Sequence, residues 1–370
     1  MKKLLNTLLR PALLGVVMLG LSLPVTTPVA MAAGKQEATA KKKTASSASR
    51  KKNSAVASKK KRAQKVSRYG KRRSAVAAES RAERERQAYL SRLPHRVGPT
   101  EIYQAANLQL PLSLESRAAV VINAETGELL YSKNSSRTMP IASITKLMTA
   151  MITLDARLPM EEVITISEAD VDRIKHTSSR LAVGTTMTRG EALLLALMAS
   201  ENRAAAALAR SYPGGTPAAV AAMNRKALEL GMTHSHFADG TGLSAQNVAS
   251  PTDLVRMVKA ARSYSDIRQF STTTEYNLVS GHRVIPYRNT NALVKNETWQ
   301  IEVSKTGFIN EAGKCLVMHA RVNATPVVIV LMDSNGKYTR IGDANRVKKW
   351  LESAVEGFTL SENHYATGTL

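Results

Sequence analysis

Hydrophobic and polar positions divide the 370-residue chain into three regions. An apolar run covers residues 12–23, and residues 35–73 then show no hydrophobic periodicity. From about residue 105 onward, apolar residues recur at the spacings of amphipathic helices and strands. The pattern therefore predicts that folded sequence begins between residues 97 and 105.

Within this folded part, strand patterns lie at both ends and helical patterns lie between them. A turn-forming segment at 124–127 separates the first two strand patterns, which predicts a β-hairpin. A capping-type hydroxyl, that of Ser143, stands at the start of the first helix, and Ser250 or Thr252 caps a later one. The predicted strands are 118–123, 128–132, 300–307, 315–323 and 326–333, and the predicted helices are 143–155, 189–210, 217–230, 251–261 and 344–355.

This order of elements predicts the α+β fold class, in which an antiparallel sheet carries helices on its faces and a helical insert interrupts the strands. The lone Cys315 lies in an apolar strand pattern and is expected to be a buried core residue. The seven histidines form no ligand spacing typical of a metal site, so neither a metal nor another cofactor is expected.

Charge changes this picture, because it is concentrated near the N-terminus. Lys and Arg outnumber Asp and Glu by 52 to 29, which gives a net charge of +23, and 44% of the residues are hydrophobic. This composition excludes an acidic disordered chain, a collagen and a disulfide scaffold. Residues 1–73 carry +18 of the charge, since residues 35–73 hold 16 Lys and Arg against a single Glu. The remainder is a nearly balanced domain.

The N-terminal region has the features of an export signal. Lys2 and Lys3 precede the apolar run, and small residues follow Pro24 up to Ala33. A membrane-spanning helix needs roughly 20 apolar residues, so we expect residues 1–33 to be a cleaved signal peptide and the protein to be periplasmic. An uncleaved signal that anchors the chain remains the alternative.

Four segments follow from these patterns. After the signal peptide, residues 34–96 are expected to form a basic, low-complexity, disordered tether, in which mixed charges at 79–92 favour a short helix. Residues 97–358 form the folded domain, and residues 359–370 form a polar C-terminal tail. The tether is expected to attract anionic envelope surfaces weakly.

Candidate chemistry begins at Ser143-Ile-Thr-Lys146. On a helix, positions i and i+3 share a face, so the Lys146 amine can reach the Ser143 hydroxyl. The positive end of the helix dipole also favours negative charge developing near that serine. Taken alone the spacing is weak evidence, because Ser49 and Lys52 in the basic tether match it too.

Two further motifs follow Ser143-Ile-Thr-Lys146 along the chain, and the ordered set is much stronger evidence for a catalytic site than the first motif alone. Ser200-Glu-Asn202 ends an apolar helix pattern, and Lys305-Thr-Gly307 ends a strand pattern. The ordered triple is similar to that of the penicillin-recognising serine enzymes. From about residue 114 to 351 the chain resembles the low-molecular-mass penicillin-binding proteins, which are D-alanyl-D-alanine carboxypeptidases and endopeptidases. The stretches 139–150, 239–244 and 305–316 add to this resemblance.

The resemblance implies a DD-peptidase/β-lactamase-like fold and catalytic roles for three side chains. Ser143 would attack a D-alanyl carbonyl and form an acyl-enzyme. Lys146 would be its base, with a pKa lowered by burial and by the nearby cation of Lys305. Ser200 would relay a proton to the leaving amine.

The same resemblance implies five substrate-binding residues. Asn202 would hold the acyl-chain amide, while Lys305 and Thr306 would favour the anionic end of the substrate. Gly307 would let the substrate lie along the strand as an added edge. Backbone N–H groups of Ser143 and Phe308 would form the oxyanion hole. A glycine-rich stretch at 239–243 would either support the cleft as a turn or contact substrate directly.

Several activities compete within and outside this family. A β-lactamase of the common serine class needs Glu-x-x-x-Asn soon after the second element, and residues 203–250 lack it. Only 63 residues follow Gly307, too few for an additional C-terminal β domain, so we expect an endopeptidase that cleaves D-Ala–diaminopimelate cross-links in peptidoglycan. A carboxypeptidase is the alternative. The expected partners are peptidoglycan peptides and covalent β-lactams.

A hypothesis from another class is a non-catalytic protein, one that binds murein or that binds nucleic acid through its basic tether. The export signal argues against nucleic acid as a physiological partner.

Overall fold

The computed structural model of the chain describes Tyr103–Gln104 and residues 112–366. The predicted signal peptide and tether, residues 1–96, lie outside the described residues, as does the last part of the predicted polar tail, 367–370. In the part that is described, no helix has both the length and the apolar character needed to cross a membrane.

The centre of the fold is a six-stranded antiparallel sheet with strand order β1-β3-β2-β12-β11-β10. The predicted hairpin and the three later strands are all present, which confirms the α+β class with an antiparallel sheet. The strands are β1 (Tyr103–Gln104), β2 (Ala118–Asn123), β3 (Leu129–Lys133), β4 (Met139–Pro140), β5 (Val163–Thr165), β6 (Thr186–Thr188), β7 (Val248–Ala249), β8 (Glu275–Ser280), β9 (Arg283–Arg288), β10 (Gln300–Ile309), β11 (Gly313–Val322) and β12 (Thr325–Ser334).

The central strands are covered on both faces, which explains their continuous hydrophobic sequences. In β12, Val328 and Val330 face a core shared with most of the helices, whereas Val327 and Ile329 face a second core beneath the C-terminal helix. Cys315 of β11 is fully buried in the first of these cores, as expected.

Seven α-helices flank this sheet in the described residues. The first is apolar nearly all round because it is enclosed by the sheet and other helices, and its residues 145–153 are all buried. Buried threonines within it bond to carbonyls; Thr149, for example, donates to the Gly240 oxygen at 2.7 Å. The helices are α1 (Thr145–Asp155), α2 (Arg189–Met198), α3 (Asn202–Arg210), α4 (Gly215–Glu229), α5 (Pro251–Arg262), α6 (Ser265–Thr272) and α7 (Thr339–Ala366).

Two helices differ from those expected, and one alternative left open is resolved. The predicted helix at 189–210 is broken into α2 and α3, and Ser200 in the break has a left-handed backbone with φ of 58°. The closing helix α7 is longer than expected and includes most of the segment assigned to a polar tail. The alternative caps of α5 are resolved in favour of Ser250, whose hydroxyl accepts the Asp253 N–H at 3.1 Å.

The segment around Ser143 is a 3₁₀ turn, Ala142–Ile144, that leads into α1. The expectation that Ser143 caps this helix is wrong: Ile144 occupies the cap position, and no side chain caps it. Ala142 adopts a left-handed φ of 48°, a conformation that is costly for a residue with a side chain. Because this strain lies beside Ser143, surrounding packing must hold the turn in place.

Two glycines provide that packing. A Cβ atom on Gly242 would lie 2.0 Å from the Ala142 carbonyl oxygen, and one on Gly307 would lie 2.8 Å from the Ile141 carbonyl oxygen. The backbones of the 239–243 segment and of β10 therefore pack directly against the turn that carries Ser143.

This contact predicts different costs for two glycine substitutions. Gly242 and Gly127 both have positive φ, of 81° and 79°, but only Gly127 has open space around its missing side chain. Gly127→Ala should lower the free energy of unfolding by about 1–2 kcal/mol through backbone strain alone. Gly242→Ala should lose about 1–3 kcal/mol more through overpacking. Urea denaturation measures both, and equal losses would contradict the proposed packing.

Candidate active site

The three sequence elements meet at one place between the sheet and the helices. The Lys146 ammonium nitrogen on α1 lies 2.8 Å from the Ser143 hydroxyl and 2.8 Å from the Asn202 side-chain oxygen. The Lys305 nitrogen on β10 lies 3.0 Å from the Ser200 hydroxyl, in the break between α2 and α3. The structure thus brings two Ser–Lys pairs together in one site, and the second pair joins the helical insert to the edge of the sheet.

The break between α2 and α3 positions the second element. The left-handed conformation of Ser200 ends α2, and the Glu201 N–H still reaches back to the Leu195 carbonyl at 3.1 Å. Asn202 then becomes the first residue of α3, with its amide oxygen on Lys146 and its amide nitrogen donating to the Thr177 hydroxyl at 3.1 Å. A continuous helix would not turn both side chains toward the cleft.

Lys146 is fully buried and has three oxygen partners. Besides Ser143 and Asn202, it donates to the Thr241 carbonyl at 2.6 Å. Burial lowers the pKa of Lys146 to about 7, against the opposing negative charges of Asp239 and Glu201. A lysine near half-protonation at neutral pH can act as a base.

Lys305 is also buried, and it donates to the Thr306 carbonyl at 3.0 Å as well as to Ser200. Burial lowers the pKa of Lys305, and the positive charges of Lys146 and Arg340 lower it further. Protonating both lysines at the same time is therefore unfavourable. An anion bound beside them would favour the protonated forms.

The third element forms the edge of the cleft along β10. The Thr306 hydroxyl donates to the Thr290 hydroxyl at 2.6 Å, and Gly307 packs on the Ser143 turn. The Phe308 side chain is 54% exposed on the same face of the strand as Thr306.

The glycine-rich stretch is an ordered turn built around Asp239. Its carboxylate accepts the N–H groups of Thr241 at 2.6 Å, Gly242 at 2.7 Å and Ser244 at 2.9 Å. Asn247 donates to the same carboxylate at 2.8 Å. This network aims the Thr241 carbonyl at Lys146, so the observed contacts favour the supporting turn over direct substrate contact.

Sequence reasoning missed two contributors to this site. Arg340, at the start of α7, donates to the Gly307 carbonyl at 3.0 Å and adds positive charge near Lys305. Glu201 is a buried carboxylate that accepts the Ser179 hydroxyl at 2.5 Å and faces Lys146 electrostatically. Arg340 carries no local signal, whereas Glu201 lies inside the Ser-x-Asn motif.

A serine hydroxyl bonded to a buried, readily neutralised lysine, with a second Ser–Lys pair across the cleft, defines a serine acyl-transfer site of the penicillin-recognising class. Sequence comparison agrees, since residues 104–336 match the family described as D-alanyl-D-alanine carboxypeptidase. The chain belongs to this family and is a serine-type peptidase.

Individual relatives support the assignment. The chain is 48% identical over 250 residues to a D-alanyl-D-alanine endopeptidase of Pseudomonas aeruginosa, covering 67% of this chain and 81% of the relative. It is 44% identical to the Escherichia coli D-alanyl-D-alanine endopeptidase, covering 65% of this chain and 78% of that one. The crystal structure of the Streptomyces K15 DD-transpeptidase superposes with a TM-score of 0.61 at 26% identity, over 65% of this chain and 98% of that chain.

Proposed function

We propose that the protein is a D-alanyl-D-alanine endopeptidase that hydrolyses D-Ala–diaminopimelate cross-links of peptidoglycan through an acyl-enzyme. The observation that carries the proposal is the 2.8 Å contact between Ser143 and the buried Lys146 amine. The endopeptidase names of relatives at 48% and 44% identity support the choice among activities of the family. The family description and relatives of lower identity favour a carboxypeptidase as the second candidate.

The partners of Lys146 explain how it would activate Ser143. A protonated lysine donates three hydrogen bonds, but a neutral amine donates two and accepts one. The Asn202 and Thr241 partners are carbonyl-type oxygens that only accept. In the neutral state the Ser143 hydroxyl is therefore the one partner able to donate, and its proton points at the amine.

Acylation then proceeds with a balanced transfer. The Ser143 oxygen forms a bond to the D-alanyl carbonyl carbon as its proton passes to Lys146. Ser200, which accepts a hydrogen bond from Lys305, relays the proton from Lys146 to the nitrogen of the breaking C–N bond, and the amine departs, leaving Lys146 neutral. In the second half, water gives a proton to Lys146 as its oxygen bonds to the acyl carbon. The bond between that carbon and the Ser143 oxygen then breaks, Lys146 returns the proton to this oxygen, and the D-alanyl carboxylic acid is released.

The remaining residues would bind the substrate. Asn202 holds the amide of the acyl chain, and Lys305 with Thr306 faces the carboxylate next to the scissile bond. The peptide lies along the edge of β10 beside Gly307, whose missing side chain makes room for the Ser143 turn. The N–H groups of Ser143 and Phe308 bind the oxyanion, and losing one such donor typically costs on the order of 100- to 1000-fold in rate.

We further propose that the chain is exported to the periplasm by a cleaved signal peptide. The basic tether would then hold the enzyme weakly near anionic envelope surfaces. The charge that remains after cleavage supports this part of the proposal, since residues 35–73 hold 16 Lys and Arg against a single Glu.

The pKa of Lys146 predicts a pH dependence for acylation. A labelled penicillin should react faster as pH rises through about 7, because the neutral amine is the base. At one pH unit below this pKa the rate should be about tenfold lower than the plateau. Gel fluorescence at fixed times measures the rate. Ser143→Ala should remain unlabelled at every pH, and a rate that falls between pH 6 and 8 would refute Lys146 as the base.

Digestion of purified muropeptides separates the two candidate activities. We expect monomers to be released from cross-linked dimers, with mass spectrometry as the readout. Removal of only a terminal D-alanine from uncross-linked pentapeptides would instead assign a carboxypeptidase. Ser143→Ala, assayed in parallel, reports any contaminating hydrolase.

Salt should weaken the attachment of the tether. Binding of the mature protein to isolated envelopes is expected to fall as salt rises to about 0.5 M, where the screening length is only a few ångströms. A variant lacking residues 35–73 should bind weakly at every salt concentration. Binding that persists unchanged in salt would show that charge does not hold the protein there.

A further inference from the structure

One loop connects the two walls of the cleft beyond the catalytic pairs. It comprises residues 171–184 and lies against the wall that carries Asn202, where Thr177 accepts the Asn202 amide and Leu181 accepts Arg203 at 2.7 Å. From this loop Lys175 reaches the other wall and forms an ion pair with Glu311. The loop is internally ordered, since Asp172 accepts the N–H groups of Lys175 at 3.0 Å and Thr177 at 2.8 Å.

Glu311 lies in the turn between β10 and β11, four residues beyond Gly307. One of its carboxylate oxygens accepts Lys175. The other, Oε2, is buried and has no hydrogen-bond partner within the described residues. Leaving a buried acceptor without a hydrogen-bond partner is costly, so this oxygen is suited to a donor brought by a ligand.

The direction of the substrate places this pair on its acyl side. In the proposed binding mode the carboxylate beside the scissile bond faces Lys305 and Thr306, at the start of the motif. The acyl chain must then extend the other way, past Gly307 and Phe308 toward Glu311. At about 3.3 Å per residue, four residues of strand and turn span at most about 13 Å.

One apolar side chain, that of Phe308, lies beside this path, and 54% of it is exposed. The ammonium nitrogen of Lys314 lies 4.9 Å from the centre of its ring and covers part of it. A short chain of methylene groups could pack on the uncovered part and remove it from water.

We propose that Lys175 and Glu311 form a subsite for the free amino-acid end of the diaminopimelate in the donor stem peptide. That end carries an ammonium and a carboxylate on one carbon, so it complements an ion pair: the ammonium binds the unpaired oxygen of Glu311, and the carboxylate binds Lys175. The methylene groups of the same side chain lie on Phe308. The inference rests on the proposed endopeptidase function and identifies the part of the substrate that the enzyme selects.

A chemically modified substrate tests the subsite directly. In a muropeptide dimer the donor diaminopimelate holds the one unreacted primary amine, so acetic anhydride neutralises that group alone. The protein should cleave the native dimer with a kcat/KM at least about tenfold above that of the acetylated dimer, the loss expected for a charged hydrogen bond. Glu311→Gln should lower cleavage of the native dimer similarly, with little effect on the acetylated one.

Two controls separate recognition from structural bracing. The double variant Lys175→Glu/Glu311→Lys keeps an ion pair but reverses its polarity, so a bracing role predicts recovery and the subsite predicts none. Glu128→Gln removes an exposed carboxylate from the β2–β3 turn and should change neither substrate. The rate of each variant with labelled penicillin, which has no diaminopimelate end, reports whether its Ser143 site is intact, and Glu128→Gln should react at the normal rate.

The outcomes are distinct. Equal cleavage of native and acetylated dimers, or recovery in the reversed pair, overturns the subsite and leaves the endopeptidase function standing. If neither dimer is cleaved while penicillin still acylates Ser143, the endopeptidase proposal fails, and the subsite fails with it.

Discussion

The burial of one amine, that of Lys146, is the constraint around which the structure is organised. A charged lysine in a dry interior is costly, and the fold compensates incompletely with three oxygen partners and two nearby carboxylates. The remaining penalty lowers the pKa of Lys146 to about 7. Each partner comes from a different part of the chain, so the base exists only when the Ser143 turn, the helical insert and the glycine-rich turn are all in place.

The rest of the site holds the residues around Lys146 in place. The turn that carries Ser143 and the break that carries Ser200 both contain left-handed residues, at Ala142 and at Ser200 itself. Strain of this kind persists only when neighbours over-determine it. At Ala142 the backbones of Gly242 and Gly307 pack against the strained turn and hold it in place. The Asp239 carboxylate in turn fixes the loop that contains Gly242. The strained backbone beside Ser143 is therefore maintained by the close packing of its neighbours.

The sequence predicted the local features well and the distant ones poorly. The contact of Lys146 with Ser143 follows from i, i+3 spacing, and the sheet follows from strand periodicity. The break at Ser200 was missed, because the predicted helix joined the Leu-rich run before residues 200–203 to the Ala-rich run after them. The helix α6 and the hairpin β8–β9 were not predicted either, since they are short and much of their surface faces solvent. The hydrogen bond between Lys305 and Ser200, 105 positions apart, was not predicted: the family resemblance named both as residues of one site but did not pair them.

The hydrogen bond between Ser200 and Lys305 has a consequence for drug susceptibility. It ties the helical insert to the edge of the sheet before any ligand arrives, so the cleft is already assembled. An enzyme that must close around its substrate can reject imitations that fail to drive closure. A cleft that is already assembled has no closure step at which to reject such a ligand. A rigid mimic of the D-alanyl peptide needs only to fit, and the same rigidity that favours catalysis exposes Ser143 to covalent capture.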